Sequence, residues 1–167
     1  MNKGTLKTIK GDVTTPQFSS ENEIAIIPHV CNDCGIMGAG VAFALSRKWP
    51  KILPTYKAIT TAPSNKVLGL VDYVKVEDNI YVFNMIAQKG FRSKNNSRPL
   101  RYVALIEAMK YVVGQLNFLK MQDDRKIVIH TPKFGSDLSG GNFSFILDLI
   151  DEIWLDAGYD VVVYEFE

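Results

Sequence analysis

Residues 24–49, IAIIPHVCNDCGIMGAGVAFALSRKW, constrain the rest of this chain most. Ile24, Ala25, Ile26 and Ile27 form a short, largely β-branched apolar run, the pattern of a buried strand. Residues 41–48 have helical composition and finish in Arg47 and Lys48, the charge that a helix C-terminus favours. Between the two lie Gly35, Gly38 and Gly40 with almost no bulk. A strand feeding a glycine loop that opens a helix suits an anion such as phosphate: glycines let the backbone come close, and the first helical N–H groups point at the charge. The same loop also serves as a tight turn with close helix–strand packing. It is neither a Walker A loop, lacking the lysine, nor the dinucleotide fingerprint, lacking its glycine spacing.

At 167 residues the chain fits one domain, 1–167, long enough to bury a substantial core. A net charge of +1 gives no global electrostatic case for binding nucleic acid or a membrane surface. No apolar run approaches the roughly 20 residues of a membrane span, and residues 1–5 lead straight into the first strand, so a soluble, cytoplasmic protein is expected. Cys31 and Cys34 form a C-x-x-C without a second pair or a histidine cluster. A zinc site or a redox disulfide is therefore the weaker reading. Two small residues in a reducing compartment is the stronger one.

Residues 6–10 alternate as a first strand and end at Gly11, Asp12 and Val13. Asp12 is either a turn residue or an acceptor for an exocyclic amine. Trp49 and Pro50 stop the first helix, and residues 51–60 form a second short helical segment broken by Pro54. Residues 68–76 and 80–86 read as strands joined by a hairpin turn at 77–79. Residues 91–99 form a polar, basic loop in which Arg92, Lys94 and Arg98 are too few for a nucleic-acid patch but able to flank an anionic ligand. Pro99 sits where a first helical turn accepts proline. Tyr102, Leu105, Ile106, Met109, Val112, Val113 and Leu116 then follow at helical spacing. Residues 127–129 are a buried strand that runs into a second glycine-rich loop, 130–142. Asn142 is placed to cap a helix over 143–157 whose apolar face is Phe145, Ile146, Leu149, Ile150, Ile153 and Trp154. Residues 161–164 form a last strand.

The order β, β, α, β, β, α, β, α, β implies a three-layer α/β/α domain with a mixed, mostly parallel sheet. Ligands in such sheets sit at the carboxyl ends of strands. Both glycine loops follow strands and face one cleft, and two opposed loops suit a pyrophosphate.

With these motifs in place the sequence resembles the macro domain, an ADP-ribose-binding module, over nearly its whole length. The resemblance rests on Gly11, Asp12 and Val13; on His29 and Asn32 with the loop 35–42; on the run 84–88; and on 132–143. It is nearest in flavour to the ADP-ribose 1''-phosphate phosphatases and similar small macro proteins of microbes and their viruses. The resemblance implies a macro-domain fold and a role for each matching position. Asp12 would accept the adenine amino group, with Gly11 and the Val13 amide beside it. Asn32 would bond the distal ribose, and Gly38, Ala39, Gly40 and Val41 would offer amides to that ribose and the diphosphate. Pro132, Gly135, Ser136, Asp137, Leu138, Ser139 and Gly140 would cradle the diphosphate from the other side, with Phe143 walling a ribose or the adenine and Gln88 among the ligand-binding positions. His29 matches the histidine proposed as catalytic in the phosphatase branch and is chemically suited to acid–base work near neutral pH. A histidine ending a buried strand is also commonly structural. Asp137 either activates water or solvates the loop.

One departure bears on the chemistry. The branch that removes ADP-ribose from acidic side chains or from guanine uses a lysine where this chain has Gln88, with Lys89 one step on, and an aspartate that aligns with Ser139. A glutamine cannot serve as an amine nucleophile. The expected function is hydrolysis of ADP-ribose 1''-phosphate or a related terminal derivative, with no metal and no cofactor. Removal of ADP-ribose from a modified macromolecule and non-catalytic reading of ADP-ribose are the alternatives.

Overall fold

A computed structural model describes residues 2–136 and 138–166. The strand β2 (Glu23–Asn32) lies between β5 (Lys126–Pro132) and β4 (Ile80–Gln88), and nearly all of it is buried. Its side chains alternate between two cores, as a strand's period of two requires. Ile24 and Ile26 enter the core beneath α4 (Tyr102–Lys120) and α5 (Phe143–Leu149). Ala25 and Ile27 enter the one beneath α1 (Gly40–Lys48) and α2 (Leu53–Ile59). Each fully buried isoleucine contributes about 2 kcal/mol of transfer free energy.

The sheet has six strands in the order β1 (Leu6–Lys10), β6 (Asp160–Glu165), β5, β2, β4, β3 (Val71–Glu77). Every neighbouring pair is parallel except β3 and β4, which form the expected hairpin. Helices cover both faces, with a short α3 (Ser64–Val67) before β3, so the three-layer α/β/α arrangement is as expected. No helix among the described residues is long and apolar enough to cross a membrane.

Three local features differ from the sequence expectation. Strand β2 runs past Ile27 to Asn32 because β4 pairs with it along that length, His29 opposite Asn84 and Val30 opposite Met85. His29 and Asn32 are therefore strand residues. Strand β3 starts at Val71 rather than at 68, since Gly69, at φ +95°, turns the chain while its N–H bonds Ile86. The last helix is α-helical only to Leu149 and continues as a π-helical turn, Ile150–Leu155. Its core face is Ile146, Leu149, Ile150, Trp154 and Leu155, whereas Phe145 is 41% exposed and rests edge-on against Tyr102 at 4.8 Å.

Candidate functional site

Five parallel strands bring their carboxyl ends to one edge of the sheet, and a cavity of about 380 Å³ opens at the ends of β2, β4 and β5. That volume is in the range of small-molecule sites. His29 and Asn32 reach it from β2, and Gly38, Ala39, Gly40 and Val41 from the first glycine loop and the start of α1. Gln88 comes from β4, and Pro132, Gly135, Ser136, Leu138 and Ser139 come from the second loop. Gly11, Asp12, Val13, Gly140 and Phe143 are not in this wall. Asp137 lies outside the described residues.

The first loop ends in an open helix. Ala39, the N-cap of α1, is extended at φ −153°, and no side chain caps the helix. The residues of its first turn, Gly40, Val41 and Ala42, line the cavity. Their orphan N–H groups and the positive end of the helix dipole therefore border that space. Asn32 holds the loop in place. Its Oδ1 accepts the Cys34 N–H at 2.9 Å and the Tyr56 hydroxyl at 2.7 Å, while its Nδ2 donates to the Ile36 carbonyl at 2.8 Å. Burial pushes the Tyr56 phenol up, so it remains a donor. Nothing local in the sequence signals Tyr56; it comes from α2 and meets Asn32 only in the fold.

The second loop is tied by its own backbone. The Gly140 N–H bonds the Ser136 carbonyl at 3.1 Å, and the Gly141 N–H bonds that of Gly135 at 2.8 Å. Gly135 and Gly140 have φ of +76° and +73°, the left-handed region that favours glycine. Here the following helix is capped, the Phe145 N–H donating to Asn142 Oδ1 at 3.3 Å, as the sequence suggested. Ser139 Oγ donates to Gln88 Oε1 at 2.7 Å, and Gln88 Nε2 donates to the Gly90 carbonyl at 3.0 Å. An uncharged serine–glutamine pair thus joins the second loop to β4.

His29, which the resemblance implied as an acid–base group, lies buried at the cavity wall. The ring is 1% exposed, its Nε2 lies 2.6 Å from Asn84 Oδ1, and the Asn84 amide donates onward to the Ile52 carbonyl at 3.0 Å. Burial holds its pKa at about 4, against the opposing pull of Asn84. His29 is therefore neutral at pH 7, with Nε2–H donating to Asn84. Cys31 is a buried free thiol, pushed up by its burial, and Cys34 is an exposed one.

Asp12 makes a turn: its Oδ1 accepts the Thr14 N–H at 2.9 Å and the Thr14 hydroxyl at 2.8 Å. The loop beyond it is pinned by a buried triad that sequence inspection missed. The Gln17 N–H donates to the Tyr164 hydroxyl at 2.9 Å, which lies 2.7 Å from His130 Nδ1. His130 Nε2 is 2.9 Å from Glu23 Oε2, and Ser19 Oγ donates to Glu23 Oε1 at 2.6 Å. Phe91, Arg92 and Lys133 also line the cavity; for Arg92 the basic composition of its loop was the available signal.

No protein-family profile matches the chain. It is 33% identical to a macrodomain protein of Streptomyces coelicolor, with a TM-score of 0.76 and coverage of 96% of this chain and 98% of that one. It is 28% identical to the ADP-ribose 1''-phosphate phosphatase of Lodderomyces elongisporus, over 89% of this chain and 94% of the relative. To the protein of the same name from Debaryomyces hansenii it is 26% identical, over 88% and 93%. With the parallel edge, the two glycine loops and these relatives in agreement, the chain belongs to the macrodomain family.

Proposed function

We propose that the protein binds ADP-ribose and hydrolyses ADP-ribose 1''-phosphate to ADP-ribose and inorganic phosphate. The observation that carries the proposal is the uncapped start of α1 bordering the same cavity as the second glycine loop. A diphosphate lying between them receives amide hydrogen bonds and the favourable end of a helix dipole. The names of the two phosphatase relatives supply the reaction. In it a water oxygen bonds to phosphorus, the bond from phosphorus to the O1'' oxygen breaks, and that oxygen leaves with the proton given up by the water.

Residue roles divide as follows. Gly38, Ala39, Gly40 and Val41 hold the diphosphate and distal ribose from one side, and Gly135, Ser136, Leu138 and Ser139 from the other. Asn32 shapes the first loop and offers its second amide proton to the ribose. His29, neutral and engaged with Asn84, acts as a positioning residue beneath the loop rather than as the base. The base to test first is the Asp137 carboxylate. Lysine-based removal of ADP-ribose from macromolecules is disfavoured, because Gln88 is bonded to Ser139 at the two positions that chemistry needs.

Phosphate release from ADP-ribose 1''-phosphate tests the activity, with calorimetric titration of ADP-ribose beside it. Turnover by wild type that falls at least about a hundredfold in Asp137→Asn supports the assignment. Binding without release points to a reader or a different leaving group. Absence of binding removes the proposal.

A further inference from the structure

Strand order lays out the carboxyl edge of the sheet around the cavity. The ends of β1, β6, β5, β2 and β4 follow one another along one edge, so β1 and β4 are four strand spacings apart, roughly 19 Å. The glycine loops after β5 and β2 hold the middle. With the adenine amine on Asp12, as the family resemblance implies, a diphosphate held there directs the adenosine toward β1 and the distal ribose toward β4. At that β4 end the cavity wall changes character: after Gln88 it is built by Phe91 and Arg92.

These two residues sit on a braced arm. Ser93 and Asn96 exchange backbone hydrogen bonds of 3.0 and 3.1 Å, closing a small hairpin. Asn96 Nδ2 forks to the carbonyls of Lys89 at 2.9 Å and Phe91 at 3.0 Å. The Gly90 N–H donates to Asp33 Oδ1 at 2.8 Å, which fastens the arm to the first glycine loop.

Resting on the phosphatase reading above, we infer that Arg92 is the specificity-determining residue for the substrate's terminal phosphate, its guanidinium pairing with the phosphomonoester on C1'' of the distal ribose while Phe91 covers that ribose. A planar guanidinium meets two phosphate oxygens at once, which lysine cannot do. ADP-ribose itself lacks the group, so Arg92 favours substrate over product.

The test is steady-state phosphate release from ADP-ribose 1''-phosphate by wild type, Arg92→Gln and Arg92→Lys, with calorimetric titration of ADP-ribose and a melting curve for each. Arg92→Gln is expected to raise KM about tenfold or more, with a smaller change in kcat and an ADP-ribose Kd within about threefold of wild type. Arg92→Lys recovers part of the loss. High salt raises the wild-type KM more than that of Arg92→Gln. An unchanged KM in Arg92→Gln overturns the inference, as does an equal loss of affinity for ADP-ribose, which places Arg92 on the diphosphate. Wild type that binds ADP-ribose but releases no phosphate counts against the phosphatase reading instead. Competition then decides Arg92: ADP-ribose 1''-phosphate must displace ADP-ribose more strongly from wild type than from Arg92→Gln, and equal displacement overturns the assignment.

Discussion

The loops after β2 and β5 share one plan, strand then glycines then helix, and they finish it differently. The first is held from outside, by the Asn32 side chain and the Tyr56 hydroxyl, and its helix starts with no side-chain cap beside the cavity. The second is held from within, by bonds between its own glycines and carbonyls, and its helix is closed by Asn142. A capped helix start has given its N–H groups to the protein; an uncapped one keeps them for a ligand. The difference leaves the start of α1 uncapped beside the cavity and the start of α5 capped, although both loops carry the same signature and line the cavity.

The largest expected effect breaks the second loop. A Cβ on Gly141 would stand 2.4 Å from the Gly135 carbonyl oxygen and 2.4 Å from Leu100 Cδ2, so Gly141→Ala is expected to cost about 3 kcal/mol or more in a denaturant titration. In the first loop the matching change is mild. A Cβ on Gly38 meets only Ile36 Cγ2, at 3.4 Å, and Gly38→Ala should shift stability by less than about 1 kcal/mol. Equal losses at the two sites would erase the distinction.

Acid is expected to act beneath the first loop. The pKa of His29 is about 4 in the fold, below its unfolded value near 6.5, so the unfolded chain binds more protons between the two. Stability is complete above pH 6.5 and is lost as pH falls through 4, by on the order of 3 kcal/mol. His130, its pKa also lowered by burial, acts in the same direction. Melting curves from pH 7 to 4 should slope downward, and less so in His29→Gln. A slope that His29→Gln leaves unchanged would assign it to other groups.

Smaller effects sharpen the comparison. Asn32→Ala removes the anchor of the first loop and should cost about 1–3 kcal/mol together with a clear loss of ADP-ribose affinity. Asn142→Ala removes a helix cap, about 1 kcal/mol, and should leave affinity nearly untouched. Measuring stability and affinity on both variants separates the two roles.

Most of the fold was legible because it follows from short-range patterning. The run at 24–27, the helical spacing across α4 and the Asp78–Asn79 turn each declare themselves locally. What escaped depended on partners distant in sequence. Strand β2 continues through His29 to Asn32 only because β4 lies alongside, and Phe145 sits on the flank of its helix, against Tyr102, rather than in the core. At the site, glycine spacing pointed to both loops, while Tyr56 and the Glu23–His130–Tyr164 triad meet across long stretches of chain. His29 shows the limit most sharply. Its residue type suggested an acid–base group, and only the fold shows its burial against Asn84, which lowers its pKa.

The most direct test of the central claim, that the open start of α1 holds the ligand's diphosphate, is calorimetric titration of ADP-ribose into wild type and Ala39→Asp. Ala39 already has the extended backbone of an N-cap, so an aspartate there closes the helix and favours its dipole. The account predicts binding to wild type and at least about a tenfold loss in Ala39→Asp, with the melting temperature held or raised. Equal affinity in the two proteins would contradict it.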